Sequence, residues 1–179
     1  MKRADNLVWL DLEMTGLDPE RHAILEIATV VTDSELVTLA EGPCLPIAQP
    51  EDVLAAMDPW CQDHHGRSGL IDRARREGVS PAEAERRTLE FLAAWCLPKA
   101  SPLCGNTIGQ DRRFLVRYMP RLHDFFHYRS VDVSTLKELV RRWYPAGPQF
   151  PPKSDRHMAL EDVRDSVREL AFYRKAFFK

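Results

Sequence analysis

The stretch Leu7-Val8-Trp9-Leu10-Asp11-Leu12-Glu13-Met14 combines the chain's most apolar strand-like run with two carboxylates. Residues 6–13 are predicted to form a strand, and alternate side chains of a strand point to the same side. Asp11 and Glu13 therefore project together, on the same face as Leu7 and Trp9. Two such acids repel each other, and a hard cation with oxygen ligands would turn that repulsion into binding. Solvated acids at a strand end are the alternative, and spacing alone does not decide between the two.

The flanking segments predict an α/β domain. Ile24–Thr32 is rich in β-branched residues and is predicted to be a second strand, with a third near Leu36–Leu45 and a short one at 102–104. Helices are predicted from the Ser80 capping box to Trp95, from Gln110 to Met119, from the Asp132 N-cap to about Trp143, and from about Asp155 to Phe177. Tyr144–Pro152 is predicted to be a loop. This order favours a mixed β-sheet flanked by helices.

Length, charge and cysteine pattern narrow the class of protein. The 179 residues fit a single domain over 1–179, and a net charge of −2 argues against a long, nonspecific grip on a nucleic-acid backbone. The four cysteines show no C-x-x-C pair or zinc-finger spacing: Cys44, Cys61, Cys96 and Cys104. We see no signal-peptide core and no apolar run long enough to span a membrane. These features predict a cytoplasmic protein with reduced thiols and no membrane partner.

Asp111 is a second acid in an apolar context. It lies three and four residues before Phe114 and Leu115, on the apolar stripe of its predicted helix. An acid in a first helical turn is also stabilised by the helix dipole, which would explain a solvated aspartate. An inward-facing carboxylate costs several kcal/mol unless it is paired or metal-bound, so the stripe favours a functional role.

His157 and Asp162 lie near the start of the last predicted helix. Asp162 flanks an apolar stripe that includes Ala159 and Val163. On a continuous helix a five-residue spacing would separate the two side chains by about 140°, so His157 is expected in the helix entry, above a site that Asp162 faces. Each residue alone could be a solvated or structural group. Together, four carboxylates and an imidazole suggest divalent metal ions that activate water.

Four segments resemble the DEDDh superfamily of 3′→5′ exonucleases, and within it the oligoribonuclease family. The segments are Trp9–Asp18, Gly105–Phe114, Asp132–Leu139 and His157–Asp162. The resemblance spans essentially the whole chain and implies an RNase H-like α/β fold, a homodimer and cleavage of very short RNAs to 5′-mononucleotides. Thr107 stands where the family pattern has serine, and the proline-rich loop before Lys153 departs from the pattern, but neither change touches an acid.

The resemblance also implies a role for each acid. Two Mg²⁺ or Mn²⁺ ions would stabilise the attacking and leaving oxygens of the phosphodiester. Asp11 would bridge the ions, Glu13 and Asp162 would complete the first, and Asp111 would serve the second. His157 would be the general base for the attacking water, since an imidazole pKa near 6.5 suits neutral pH.

Binding of short RNA oligonucleotides and dinucleotides needs further side chains. Leu17 could wedge between two bases, and Trp60 is a stacking candidate, with a core tryptophan beside Met57 as its alternative. In the family a partner subunit closes the site, which makes Tyr128 and Arg129 candidates for a second stacking surface and a 5′-phosphate clamp. A clamp on the 5′ phosphate would exclude longer strands. The further candidates for this pocket are His65, Thr107 and Ser134.

Two rival functions share parts of this pattern. A proofreading or tRNA-trimming exonuclease would use the same metals on longer substrates, but it would favour an open basic channel that this composition does not provide. A nucleic-acid-binding module with an inactive metal site would not need to keep five costly or mutually repelling groups. Mg²⁺-dependent release of mononucleotides from a labelled dinucleotide would distinguish the predicted enzyme from these rivals.

Overall fold

The computed structural model describes residues 2–151 and 158–178. Within those ranges six strands form one mixed sheet in the order β3-β2-β1-β5-β6, with β4 paired to β2. The strands are β1 (Leu7–Met14), β2 (Ile24–Thr32), β3 (Thr38–Glu41), β4 (Leu45–Pro46), β5 (Leu103–Gly105) and β6 (Ser130–Asp132). The predicted α/β architecture with a mixed sheet is confirmed.

Strand direction determines where polar groups gather. The central strand β1 is antiparallel to β2 but parallel to β5, and β5 is parallel to β6. The carboxyl ends of β1, β5 and β6 therefore lie at the same edge of the sheet. That edge carries Asp11 and Glu13 from β1, the residues that follow Gly105, and Asp132 at the end of β6.

Eight helices flank the sheet in the described part of the chain. They are α1 (Glu51–Ala55), α2 (Pro59–Arg67), α3 (Leu70–Glu77), α4 (Pro81–Trp95), α5 (Ile108–Tyr118), α6 (Pro120–Phe125), α7 (Val133–Trp143) and α8 (Ala159–Phe177). On one face of the sheet, Ala159 and Val163 of α8 join a buried cluster with Trp9 and Ala28. On the other face, α4 and α5 contribute to a cluster with Leu10. The site-bearing strand β1 is thus covered on both sides.

Two predicted helix starts are confirmed by their hydrogen bonds. The Ser80 hydroxyl accepts from the Glu83 amide at 3.2 Å, and the Asp132 carboxylate accepts from the Ser134 amide at 2.9 Å. The last helix begins at Ala159, whereas its predicted start near Asp155 lies outside the described residues. No helix in the ranges 2–151 and 158–178 combines the length and apolarity that a membrane crossing requires.

The third predicted strand was wrong as a single element. Instead of one strand over Leu36–Leu45, the structure has β3 and β4, separated at Gly42. The Gly42 amide donates to the Thr29 carbonyl at 2.8 Å, and a Cβ on Gly42 would lie 2.3 Å from the Thr29 hydroxyl. A larger residue therefore does not fit at this position. The short helices α1, α2, α3 and α6 and the strand β6 were not predicted.

Candidate active site

Three carboxylates converge at the carboxyl end of β1. Oxygen atoms of Asp11, Glu13 and Asp162 all lie within 4.8 Å of one another. Asp11 and Glu13 point to the same side because they are two residues apart in a strand. Asp162 joins them because α8 packs its first turns onto that face of the sheet. The structure therefore brings together three of the predicted ligands from opposite ends of the chain.

Asp111 reaches the same strand from the other side. It lies on α5 with a relative exposure of 6%, and its carboxylate accepts a hydrogen bond from the Leu12 amide at 2.9 Å. Burial raises the pKa of the Asp111 carboxyl to about 7, although the Leu12 hydrogen bond opposes this shift. The expected inward orientation of Asp111 is confirmed. The carboxylate is held against the residue that separates Asp11 from Glu13.

The pKa of Glu13 reports the crowding of negative charge. Burial first, and then the nearby Asp162, Glu26 and Asp111, raise this pKa to about 8, while Arg73 opposes the rise. Without a cation, Glu13 is therefore largely protonated at neutral pH. An all-oxygen set of acids that cannot all ionise together fits a hard divalent cation such as Mg²⁺ or Mn²⁺.

A buried glutamate beside this cluster was not predicted. Glu26 lies opposite Glu13 in the β1–β2 ladder and is fully buried. Its carboxylate lies 2.7 Å from the Arg73 guanidinium and accepts from the Ala159 amide at 3.2 Å. The sequence signal is a single charged residue within the apolar segment Ile24–Thr32, all of which is buried in the structure.

The two histidines of the predicted site have different outcomes. His157, the predicted general base, lies outside the described residues. His65 on α2 is 2% exposed and donates from Nε2 to the Met14 carbonyl at 2.8 Å, with Nδ1 4.0 Å from a Glu13 oxygen. The ring of His65 thus faces Glu13 and the β1 backbone.

Thr107 and Ser134 belong to a hydroxyl cluster at the same sheet edge. Their hydroxyl oxygens lie 3.0 Å apart, and the Thr107 amide donates to Asp132 and to the Ser134 hydroxyl. Thr107 adopts a left-handed conformation with φ of 53°, which is uncommon for a non-glycine residue. Asn106 connects this cluster to α8 through a hydrogen bond to the Ser166 hydroxyl. The backbone strain at Thr107 is thus maintained by several hydrogen bonds.

Leu17 and Trp60 are both available for contacts with a ligand. Leu17 follows the acids and is 71% exposed, with its carbonyl held by the Gln110 amide group. Trp60 on α2 is 65% exposed and stacks on His64 at 4.6 Å between ring centroids. The alternative of a core tryptophan is wrong. It is Met57, not Trp60, that enters the buried cluster beneath α2.

Tyr128 and Arg129 lie away from the acids of their own chain. They immediately precede β6, and so lie near the amino end of a strand whose carboxyl end faces the site. Tyr128 is 75% exposed, and the Arg129 guanidinium lies 5.4 Å from its ring centroid. A three-residue strand spans about 10 Å. The chain therefore does not bring this pair together with Asp11, Glu13 and Asp162.

Sequence comparisons decide the family. The exonuclease family RNase_T matches residues 8–170. Oligoribonuclease from Marinobacter nauticus is 56% identical over 179 residues, which cover 100% of this chain and 99% of that protein. Oligoribonuclease from Vibrio cholerae is 59% identical over 174 residues, covering 97% and 96% respectively. The chain belongs to the oligoribonuclease family. As a member of the oligoribonuclease family it is a nuclease, a 3′→5′ exoribonuclease.

Solved structures confirm the RNase H-like exonuclease fold expected for an oligoribonuclease family member. E. coli Exonuclease I in complex with a dT13 oligonucleotide superposes with a TM-score of 0.74 at 18% identity, covering 96% of this chain. Exonuclease I from Methylocaldum szegediense gives a TM-score of 0.71 at 22% identity, covering 95% of this chain. The chain spans 41% and 40% of those two proteins. At this identity the likeness concerns the fold alone.

Proposed function

We propose that this chain hydrolyses short oligoribonucleotides, dinucleotides above all, to 5′-mononucleotides with two divalent cations, Mg²⁺ or Mn²⁺. The observation that carries the proposal is the convergence of Asp11, Glu13 and Asp162 oxygens within 4.8 Å. Asp11 would serve both cations, Glu13 and Asp162 would complete the first, and Asp111 would serve the second. When bound, the cations would neutralise the phosphate and stabilise both the attacking and the leaving oxygen.

The chain's own carboxylates must lose protons before they can act as ligands. The raised pKa values of Glu13, about 8, and Asp111, about 7, favour partial protonation of these carboxyls near neutral pH in the apo protein. Cation binding would release those protons, which makes affinity rise with pH. The attraction between the cation and the ionised carboxylates must therefore exceed the cost of releasing these protons.

We assign the general base to His157. An imidazole with a pKa near 6.5 can accept the proton of the attacking water at neutral pH. The water oxygen would bond to phosphorus, and the bond to the 3′ oxygen of the penultimate nucleotide would break. The phosphate then leaves on the 3′-terminal nucleotide as a 5′-mononucleotide. The assignment draws on the family resemblance and on the position of His157, five residues before Asp162.

Substrate contacts are assigned to exposed groups around the acids. Leu17 and Trp60 offer apolar and aromatic surfaces to the bases, and base–aromatic stacking contributes about 1–3 kcal/mol without reading sequence. Thr107 and Ser134 offer hydroxyls at the carboxyl ends of β5 and β6. His65 is assigned to the same pocket, where its Nδ1 lies 4.0 Å from a Glu13 oxygen.

A homodimer would complete the site. Tyr128 and Arg129 are exposed at the amino end of β6, away from the acids of their own chain, which supports a role in the site of a second copy. There Tyr128 would stack on a base and Arg129 would clamp the 5′ phosphate. Such a clamp would end the site after two nucleotides and so exclude longer strands.

The remaining expectations belong to the same proposal. We treat residues 1–179 as a single exonuclease domain, which the exonuclease match over 8–170 supports. A cytoplasmic location is proposed from the sequence. The four cysteines carry no disulfide in the structure.

A length series tests the proposal directly. Labelled 5′-phosphorylated RNAs of two to ten nucleotides, and matched DNAs, are hydrolysed under one salt and Mg²⁺ concentration, with Asp11→Ala as the inactive control. The proposal predicts the highest kcat/KM for the RNA dinucleotide and no turnover by the control. A kcat/KM that rises with length would instead favour a long-substrate exonuclease of the same fold. Binding without hydrolysis would favour an inactive binding module.

A further inference from the structure

The amino end of α8 lacks a capping side chain of its own. The first N–H groups of a helix have no partner within the helix, and a side chain at the N-cap often accepts from one of them. The N-cap residue of α8 is Met158, which makes no such bond. The Ala159 amide instead donates to Glu26 from β2, at 3.2 Å. A residue 133 positions earlier in the chain thus replaces the missing cap.

Arg73 stabilises the Glu26 carboxylate that caps α8. A carboxylate near a helix amino end interacts favourably with the helix dipole, but a fully buried carboxylate is costly unless it is paired. Arg73 from α3 lies 2.7 Å from the second Glu26 oxygen and keeps 24% of its side chain exposed. The ion pair therefore connects α3, β2 and the start of α8 at one point.

The Glu26–Arg73 ion pair lies beside the acids of the proposed metal site. Glu26 is directly opposite Glu13 in the β1–β2 ladder. Ala159 precedes Asp162 by three residues, so one helical turn joins the anchored amide to the carboxylate that faces Asp11. Movement of the anchored end would change the distance between Asp162 and the β1 acids directly.

We propose that the Glu26–Arg73 ion pair is a positioning device that sets the start of α8, and with it Asp162, for cation binding. This inference rests on the proposed function, in which Asp162 is a metal ligand. Neither Glu26 nor Arg73 contacts the cation or the substrate in this role. The pair acts through the Ala159 backbone.

A charge-neutral double variant separates positioning from electrostatics. In Glu26→Leu/Arg73→Leu one negative and one positive charge are lost together, and the acceptor for Ala159 disappears. Replacing a buried ion pair with apolar residues is often neutral or stabilising, so this variant is expected to fold. The matched control is Glu51→Leu/Arg75→Leu, which removes an exposed ion pair of the same residue types, between Glu51 of α1 and Arg75 of α3.

The primary measurement is equilibrium binding of Mn²⁺ by titration calorimetry, with Asp162→Asn as a reference. Since partners that orient ligands are typically worth about 10–100-fold in metal affinity, we expect the Leu pair to weaken Mn²⁺ binding by about tenfold or more. The control should bind as the wild type does. Hydrogen–deuterium exchange in the apo protein should be faster at 159–162 in the Leu pair alone. The kcat for a dinucleotide should fall with little change in KM.

The Mn²⁺ affinity and the amide exchange of the Leu pair decide whether the ion pair positions α8. Mn²⁺ affinity within twofold of wild type overturns the positioning role, because an ion pair that merely balanced charge would leave the affinity unchanged. Unchanged exchange at 159–162 also overturns it. If the Leu pair does not fold, Glu26→Gln/Arg73→Gln carries the test, with an intermediate loss of affinity expected because the amide can still accept from Ala159. A wild type that binds no Mn²⁺, or an Asp162→Asn variant that binds it equally well, contradicts the proposed function itself.

Discussion

The backbone amide of Leu12 donates to the carboxylate of Asp111 at 2.9 Å. Leu12 separates Asp11 from Glu13 in β1, so a side chain from α5 is fixed to the strand that carries two of the converging acids. One Asp111 oxygen is used for this bond.

Asp162→Ala should abolish hydrolysis while the apo protein stays folded. Removing one of several mutually repelling acids relieves repulsion, so the free energy of unfolding in EDTA should be unchanged or higher. Dinucleotide turnover with Mg²⁺ and urea unfolding with EDTA measure the two effects. Turnover close to that of wild type would contradict the assignment of Asp162 to the metal site.

The apo protein should become less stable as pH rises from about 5 to about 8. The folded-state pKa of Glu13 is raised from 4.5 to about 8, and that of Asp111 from 3.8 to about 7. The folded state therefore binds more protons than the unfolded state in this window, and stability is lost as pH rises through it. Melting temperature in EDTA measures the effect, and Glu13→Gln should flatten the pH dependence. A melting temperature that rises across this window would contradict the account.

His157→Ala should lose about 10²–10⁴-fold in kcat but still bind Mn²⁺ and a dinucleotide. The lost group takes a proton from water and does not hold the cations or the phosphate. The pH dependence of kcat is the diagnostic measurement, because the wild type should show a base that the variant lacks. Identical rates and identical pH profiles would show that His157 is not the base.

Trp60→Ala should weaken dinucleotide binding, while Trp143→Ala should not. Trp143 is a matched control because its exposure, 66%, is close to the 65% of Trp60. Trp143 ends α7, whereas Trp60 lies on α2, the helix whose His65 approaches Glu13. Loss of base stacking worth about 1–3 kcal/mol predicts at least a fivefold rise in Kd. Equal effects of the two substitutions would remove Trp60 from the binding surface.

Arg129→Ala should weaken the binding of a 5′-phosphorylated dinucleotide much more than the binding of a dinucleotide with a 5′-hydroxyl. A guanidinium–phosphate contact is charge-assisted and often bidentate. Mixing Asp11→Ala with Arg129→Ala protein tests the shared site, since a mixed dimer would contain one site with intact acids and an intact partner arginine. Activity should reappear after subunit exchange, which mass spectrometry verifies. Mixed dimers that form and stay inactive would contradict a site shared between subunits.

The sequence predicted those parts of the site that follow from local periodicity. A two-residue spacing in a strand placed Asp11 and Glu13 on one side, and a helical stripe correctly oriented Asp111 toward the core. Glu26 was missed because its role depends on two distant groups, Arg73 and the Ala159 amide. No local pattern in β2 indicates either partner.

Elements with weak local signals were missed for a related reason. The helices α1, α2 and α3 are five to nine residues long, and α2 buries only Cys61 and His65, so helical periodicity is poorly developed there. The left-handed Thr107 is held by Asp132 and Ser134, which approach it only when β5 and β6 pair. Such features depend on tertiary contacts that sequence spacing does not contain.

The central claim, a divalent cation site formed by Asp11, Glu13 and Asp162, is tested most directly by counting bound Mn²⁺. Electron paramagnetic resonance of Mn²⁺ titrated into the wild type and into Asp11→Asn, each with a non-hydrolysable dinucleotide, gives the number of ions per chain. The account predicts two for the wild type and a loss of binding in the variant. No bound Mn²⁺ in the wild type, or equal binding in Asp11→Asn, would contradict it.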